Sequence, residues 1–220
     1  DLENGLGDNI GGVWDIKPGT DTWIARSIAV AAASKLGVGD ANYRLNKGSG
    51  CVDTVPFGAF RKSYVESIGG YDHNLLTNED YELNARIRQH GGKVWLDNAI
   101  HCVYYARPNF KGLAKQYWRY GYWKAQMLKR YPSTIRWRQA LPPIFVLGMS
   151  SLLLFSLFGQ VFLIIFGAFA LLYLIILFFY AGNIARKNHS PAFIIGIPVA
   201  ISTMHILWGS GLVIGLLANP

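Results

Sequence analysis

From Leu141 to Ala181 the chain carries no charged side chain, and its residues are overwhelmingly apolar. No other stretch restricts the fold as strongly. A helix crosses a bilayer core in about 20 residues, so the run is too long for one crossing. Gly159-Gln160 interrupts it and makes a tight turn, which predicts a helical hairpin over 142–158 and 161–181. A polar loop, Gly182 to Pro191, then leads to a third apolar span over 192–217. A buried hairpin of a large soluble protein would not run this far without an acidic residue. Pro198, His205 and the glycines of the third span are tolerable where a membrane helix packs on neighbours.

Charge divides the chain in the same place. All 13 acidic residues lie at or before Asp97, and nine basic residues with no acidic one lie between Asn98 and Ala140. Beyond Ala140 only Arg186 and Lys187 are charged. The expected organisation is a globular part over 1–108, a basic amphipathic interfacial helix and collar over 109–140, and a membrane part over 141–220. Arg130, Arg136 and Arg138 precede the first span and Arg186-Lys187 separate the second from the third, while Gly159-Gln160 and Ala218-Asn219-Pro220 have no basic residue. The positive-inside rule then puts the first 140 residues in the cytoplasm. Cys51 and Cys102 have no metal-ligand spacing and read as reduced thiols. The chain opens on Asp1-Leu2-Glu3-Asn4 without a methionine or apolar leader, and is expected to be part of a longer protein.

The first 140 residues alternate between strand and helix patterns. Strands are expected at Asn9–Trp14, Val52–Phe57, Lys93–Leu96 and Ile100–Tyr105. Helices are expected at Thr22–Lys35, Arg61–Ile68, Glu79–His90 with Asn78 as a cap, and Phe110–Tyr131.

Three segments carry chemistry. In Thr77-Asn78-Glu79-Asp80-Tyr81-Glu82 the carboxylates open a helix, where they complement its dipole and cap free amides. They also follow a loop, Asp72 to Thr77, and precede a helix whose Leu83 and Ile87 must pack on a sheet. That holds a carboxylate at the strand ends, where α/β folds bind ligands and where it can deprotonate a hydroxyl. In Phe57-Gly58-Ala59-Phe60-Arg61-Lys62, followed by Ile68-Gly69-Gly70-Tyr71-Asp72, small residues between aromatics permit close approach of a ligand, and equally make a tight strand-to-helix turn. On the basic helix, Gln116, Arg119, Tyr120 and Trp123 share one face by the i, i+3, i+4 rule. Such a helix suits the bilayer interface, its cations toward anionic headgroups, and no nucleic-acid partner is expected. One arginine with an aromatic beside it also grips a diphosphate and a sugar.

Together these segments resemble the second half of the catalytic domain of family 2, membrane-anchored glycosyltransferases with a GT-A, Rossmann-like fold, of the kind that build succinoglycan-type exopolysaccharides. Asn78-Glu79-Asp80 matches the family's xED, Phe57–Phe60 with Gly69–Asp72 its acceptor loop, and Gln116-Tyr117-Trp118-Arg119-Tyr120 its Q-x-x-R-W, with Tyr120 in place of tryptophan. The resemblance covers about 140 residues and continues into the three-span tail. It implies an α/β domain followed by three transmembrane helices and an inverting transfer from a nucleotide-diphosphate sugar to a polyprenyl-diphosphate-linked acceptor at the bacterial inner membrane.

By this resemblance Asp80 is the general base and Glu79 orients the acceptor or supports Asp80. Gln116 and Arg119 bind the departing diphosphate and Tyr120 stacks near the acceptor sugar, with Trp123 on the same face. Phe57, Gly58 and Ala59 belong to the acceptor loop. A divalent metal, Mg2+ or Mn2+, is implied, its DxD ligands lying outside these residues, so that the segment alone is not expected to turn over. The histidine that some GT-A enzymes add to the metal has no counterpart, since His101 falls several residues early. A processive synthase and a non-catalytic component of a polysaccharide export assembly are the alternatives.

Overall fold

The computed structural model describes residues 1–218; Asn219 and Pro220, included above in the membrane part, lie outside the described residues. Strand β1 (Asn9–Pro18) is followed by helices α1 (Trp23–Ala32), α2 (Lys35–Val38) and α3 (Asn42–Leu45) and the two-residue strands β2 (Gly50–Cys51) and β3 (Ala59–Phe60). Helices α4 (Lys62–Ser67) and α5 (Glu79–Gln89), strand β4 (Val94–Ala106) and helix α6 (Phe110–Arg130) complete the α/β part. Three long helices follow, α7 (Trp137–Phe155), α8 (Gln160–Lys187) and α9 (Phe193–Leu217), each long and apolar enough to cross a membrane.

The sheet is mixed. Its order is β2-β4-β1-β3, with β1 and β4 parallel and the two short strands antiparallel at the edges. One face buries Val13, Val65, Leu83, Ile87, Val94 and Leu96, so α5 packs on the sheet through the apolar pair expected of it. The two strands expected at Lys93–Leu96 and Ile100–Tyr105 form one long strand. Its register against β1 shifts between Gly12, opposite Asp97, and Val13, opposite His101, so that residues 98–100 bulge outward. Gly12 permits this, since a Cβ there would run into the Ile100 carbonyl.

The strand expected at Val52–Phe57 does not form. A side chain holds it instead: Asn84 Nδ2 donates to the Thr54 hydroxyl at 2.9 Å and to the Val55 backbone carbonyl at 3.0 Å. Asn9 Nδ2 in turn donates to Asn84 Oδ1 at 2.6 Å, tying β1 to the same bridge. Alternation of apolar residues records which side of a segment is buried, and says nothing of whether a neighbouring strand is there to pair with it.

A second core joins the α/β part to the membrane helices. Ile28 and Ala31 of α1 and Leu113 and Tyr117 of α6 pack with Leu177 of α8 and Ile197, Ile201 and Met204 of α9. Backbones approach closely along α6 and α9. A Cβ at Gly121 would fall on the Trp208 carbonyl, and one at Gly211 on the Trp118 carbonyl. Small residues therefore set this crossing, as they do between helices in lipid. Helix α6 is thus more than a surface anchor: one face is fixed to α9, while Lys111, Lys115, Lys129 and Arg130 remain exposed.

The boundaries of the spans shift. The first helix starts at Trp137 rather than Pro142 and ends at Phe155. The second continues to Lys187, so most of the loop expected over Gly182–Pro191 is helical and only residues 188–192 connect α8 to α9. Arg186 and Lys187 then occupy the last turn, where cations meet the negative end of the helix dipole.

Candidate active site

Helix α5 begins in an unusual way. Asn78 holds φ 70° and ψ 17°, in the left-handed region that asparagine tolerates better than most residues. Contrary to the expectation from sequence, its side chain does not cap α5; Nδ2 reaches across to the Tyr120 carbonyl of α6 at 3.3 Å. The preceding loop is tethered along its length. Asp72 accepts from the Asn74 amide at 2.9 Å and from Arg130 Nη1 at 2.9 Å. Burial works to raise the pKa of Asp72, and these hydrogen bonds outweigh it and hold it below the usual range. Arg119 Nη2 donates to the Leu76 carbonyl at 3.1 Å and to Thr77 Oγ1 at 2.9 Å.

Those tethers present Glu79 and Asp80 to open space in the first turn of α5, both exposed. Asp80 Oδ1 accepts from the Tyr81 amide at 2.7 Å. Removal of water by the surrounding walls raises the pKa of Asp80, the Tyr81 amide opposes this, and the charge of Glu79 adds to the rise. A carboxylate so shifted accepts a proton more readily than an ordinary aspartate.

On α6 the expected face divides. Gln116 is buried and donates from Nε2 to both Tyr104 Oη at 2.8 Å and Tyr120 Oη at 2.7 Å, while its Oε1 accepts from Arg107 Nε at 3.3 Å. Gln116, Arg119 and Tyr120 border one cavity with Glu79 and Asp80. Trp123 does not reach it. Its ring packs beside Leu75, Tyr81, Ala85 and Met127, one turn beyond the cavity wall. The acceptor-loop segment divides as well. Phe57 borders the cavity, 71% exposed, at φ 50°. Gly58 and Ala59 lie outside it: a Cβ on Gly58 would strike the Asn9 side chain, and Ala59 pairs with Ile10 in the sheet.

The cavity has a volume of about 940 Å3 and spans two environments. Its polar walls come from the α5 start, α6 and residues 35–44; its apolar walls come from Leu141 and Phe145 of α7, Tyr173 of α8, and Met204 and Trp208 of α9. His205 joins the two. Its Nε2 lies 3.0 Å from the Leu36 carbonyl and its Nδ1 lies 3.1 Å from Tyr173 Oη, so a residue assigned no role from sequence ties α2 and α8 to α9.

Among the lining residues that sequence reasoning passed over are Trp14, Arg44, Tyr104 and Arg107. Trp14 and Tyr104 stack at 4.0 Å with planes 2° apart because β1 and β4 run parallel, a pairing across 90 positions that no local pattern encodes. Arg44 sits in a glycine- and asparagine-rich stretch that reads as loop.

Behind the site lies a polar network. Tyr81 Oη donates to Asp53 Oδ2 at 3.3 Å, and Asp53 and Asp40 both pair with Arg138. Lys124, 1% exposed, donates to the Thr134 carbonyl at 3.2 Å and sits 4.0 Å from the Tyr81 ring centre. Burial drives its pKa down to about 7; Asp53 opposes this, and Arg138, Arg88 and Arg136 add to it. The unfolded chain then binds more protons than the native one between pH 7 and the ordinary lysine value near 10.4, so stability rises with pH there, by at most about 1.4 kcal/mol per unit. Melting of the detergent-solubilised protein from pH 7 to 10 is expected to show that slope. Lys124→Met is expected to flatten it; an unchanged slope in the variant would assign the effect elsewhere.

With this arrangement in view, comparison with known proteins finds a match of 30% identity over 117 residues with Succinoglycan biosynthesis protein ExoA of Rhizobium meliloti (strain 1021). The chain is similar to a succinoglycan biosynthesis protein. The matched part is 53% of this chain and 36% of ExoA, so the alignment spans little more than a third of that relative's length. No protein-family model matches the chain, and no solved structure matches it.

Proposed function

We propose that this chain is the acceptor-side half of an inverting glycosyltransferase of family 2, with a GT-A fold, acting in exopolysaccharide biosynthesis. It moves a sugar from a nucleotide-diphosphate donor to a polyprenyl-diphosphate-linked acceptor at the cytoplasmic face of the bacterial inner membrane. One observation carries the reading. Glu79 and Asp80, the Gln116-Arg119-Tyr120 face and the apolar faces of α7, α8 and α9 all border a single cavity. Likeness to ExoA supports the process, and the basic collar supports the orientation.

In this reading an acceptor lipid lies along Leu141, Phe145 and Trp208 and lifts its sugar toward α5. Asp80 takes the proton from the acceptor hydroxyl as that oxygen attacks the donor's anomeric carbon. Glu79 orients the hydroxyl. Arg119 meets the negative charge that grows on the departing diphosphate. Phe57 and Tyr120 offer ring faces to the sugars. A divalent metal, when bound, would neutralise the diphosphate. The described residues do not fit one by themselves: no three of His, Cys, Asp or Glu converge, and His101 is engaged with Asp15 at 3.0 Å.

Arg119→Ala is expected to lower kcat/KM by roughly 30- to 1,000-fold, about 2–4 kcal/mol, the range for losing one donor aimed at a developing charge. Lys111→Ala, on the exposed side of the same helix, is expected to change turnover less than about threefold. Transfer assays on membranes carrying each variant separate the two. Equal effects at both positions would reduce α6 to an anchor.

A further inference from the structure

Besides Arg119, two guanidinium groups border the cavity without an ion pair among the described residues, those of Arg44 and Arg107. The Cζ of Arg44 lies 4.7 Å from the centre of the Trp14 ring, 5.4 Å from that of Tyr43 and 5.9 Å from that of Tyr104. Among the described residues only its Nε has a hydrogen-bond partner, Tyr43 Oη at 3.2 Å. Arg107 follows β4 and, among the same residues, likewise spends only Nε, on Gln116. Both also border one small adjoining void of about 10 Å3, together with Tyr104, Gln116 and Tyr117.

Three carboxylates share the cavity with them. Asp40, four positions from Arg44, pairs with Arg138, while Glu79 and Asp80 at the start of α5 form no ion pair with either arginine among the described residues. Among the described residues neither Arg44 nor Arg107 forms an ion pair. Arg44 lies against aromatic rings, whereas Arg107 stands at an exposed edge of the same cavity.

Their surroundings add further donors. Gln116 gives one amide proton to Tyr104 Oη and one to Tyr120 Oη, which leaves each phenol its own proton to donate. Trp14 Nε1 is buried without an acceptor. Two forked cations and two hydroxyls present more donors than one carboxylate can accept, and they suit the several oxygens of a phosphate ester.

We propose that Arg44 and Arg107, with the Tyr104 and Tyr120 hydroxyls, form a diphosphate-binding site in the cavity, additional to the contact assigned to Arg119. The site deepens the transferase reading, and its ligand is the diphosphate of either the nucleotide or the lipid-linked acceptor.

Titration calorimetry of the detergent-solubilised protein with inorganic pyrophosphate tests it directly. The parent is expected to bind, and Arg44→Gln and Arg107→Gln each to weaken binding at least tenfold without lowering the melting temperature. Arg44→Lys keeps the charge without the planar stack and is expected to fall between. Should Arg44→Gln fail to fold, Arg107→Gln, at an exposed position, decides alone. Lys111→Ala is expected to bind as the parent does. Displacement of pyrophosphate by uridine diphosphate assigns the site to the nucleotide, and displacement by farnesyl diphosphate assigns it to the lipid. A parent that binds no pyrophosphate, arginine variants that bind it unchanged, or displacement by neither compound would overturn the site. Asp80→Asn is expected to bind pyrophosphate normally, so failure of this site and failure of the Asp80 assignment are separately visible.

Discussion

In the full-length enzyme, Asp80→Asn is expected to lower kcat for sugar transfer by about 100- to 10,000-fold while changing donor affinity little. The amide keeps the shape of the carboxylate and its place in the first turn of α5 but cannot accept a proton, and positioned general bases contribute rate factors of that order. The acidic limb of the parent's pH–rate profile is expected above the ordinary aspartate range, because loss of water and the neighbouring Glu79 raise the Asp80 pKa. Activity requires the ionised form, so it rises as pH passes that value and is lost below it. Steady-state kinetics on membranes from cells carrying each version measure both. A variant within a few fold of the parent would remove Asp80 from the chemistry.

The second large effect concerns the helix that carries Asp80. Glu82, with a fully buried side chain, pairs with Arg86 one turn later through contacts of 2.6 and 2.8 Å, and Arg86 Nη1 also donates to the Ile68 carbonyl at 2.7 Å. Removing the arginine leaves an unpaired carboxylate in the core, a loss of about 3–5 kcal/mol. Arg86→Met is therefore expected to unfold at markedly lower urea than the parent. Adding Glu82→Gln is expected to recover most of the loss, since the pair's net contribution is small compared with the penalty of leaving half of it. If the single and double replacements unfold together, the pair is not what holds α5 in place.

Much of the architecture could be read from the chain because its signals are local. An apolar run without charge has few solutions in water, and the three long helices follow from it, with one end of the first and one of the second extended by five and six residues where polar side chains still suit a helix near a headgroup layer. The α5 pattern of acids, an apolar pair and Gly91-Gly92 likewise marks its own limits. What escaped reading depends on distant partners. In the segment at Val52–Phe57, Val52 N still reaches the Val94 carbonyl, but the Val55 carbonyl accepts from the distant Asn84 side chain and not from a strand. Trp123 shares the spacing of Gln116 and Arg119 yet falls where α6 meets Leu75 and Met127, since a helix face is wider than a cavity edge. Arg44 and Arg107 join the cavity only once β1 and β4 lie side by side, and residue type alone does not separate them from solvated surface arginines.

Sugar transfer onto a membrane lipid, from the cytoplasmic side, is the core of this account, and membrane vesicles test both parts of it at once. Radiolabelled nucleotide-sugars would be supplied outside sealed vesicles of either orientation, and the label extracted into organic solvent would be counted. Label is expected to enter the lipid fraction in inverted vesicles containing the full-length parent enzyme. It is expected to be absent from inverted vesicles containing Asp80→Asn and from right-side-out vesicles. Equal labelling with Asp80→Asn, or labelling confined to right-side-out vesicles, would contradict the account.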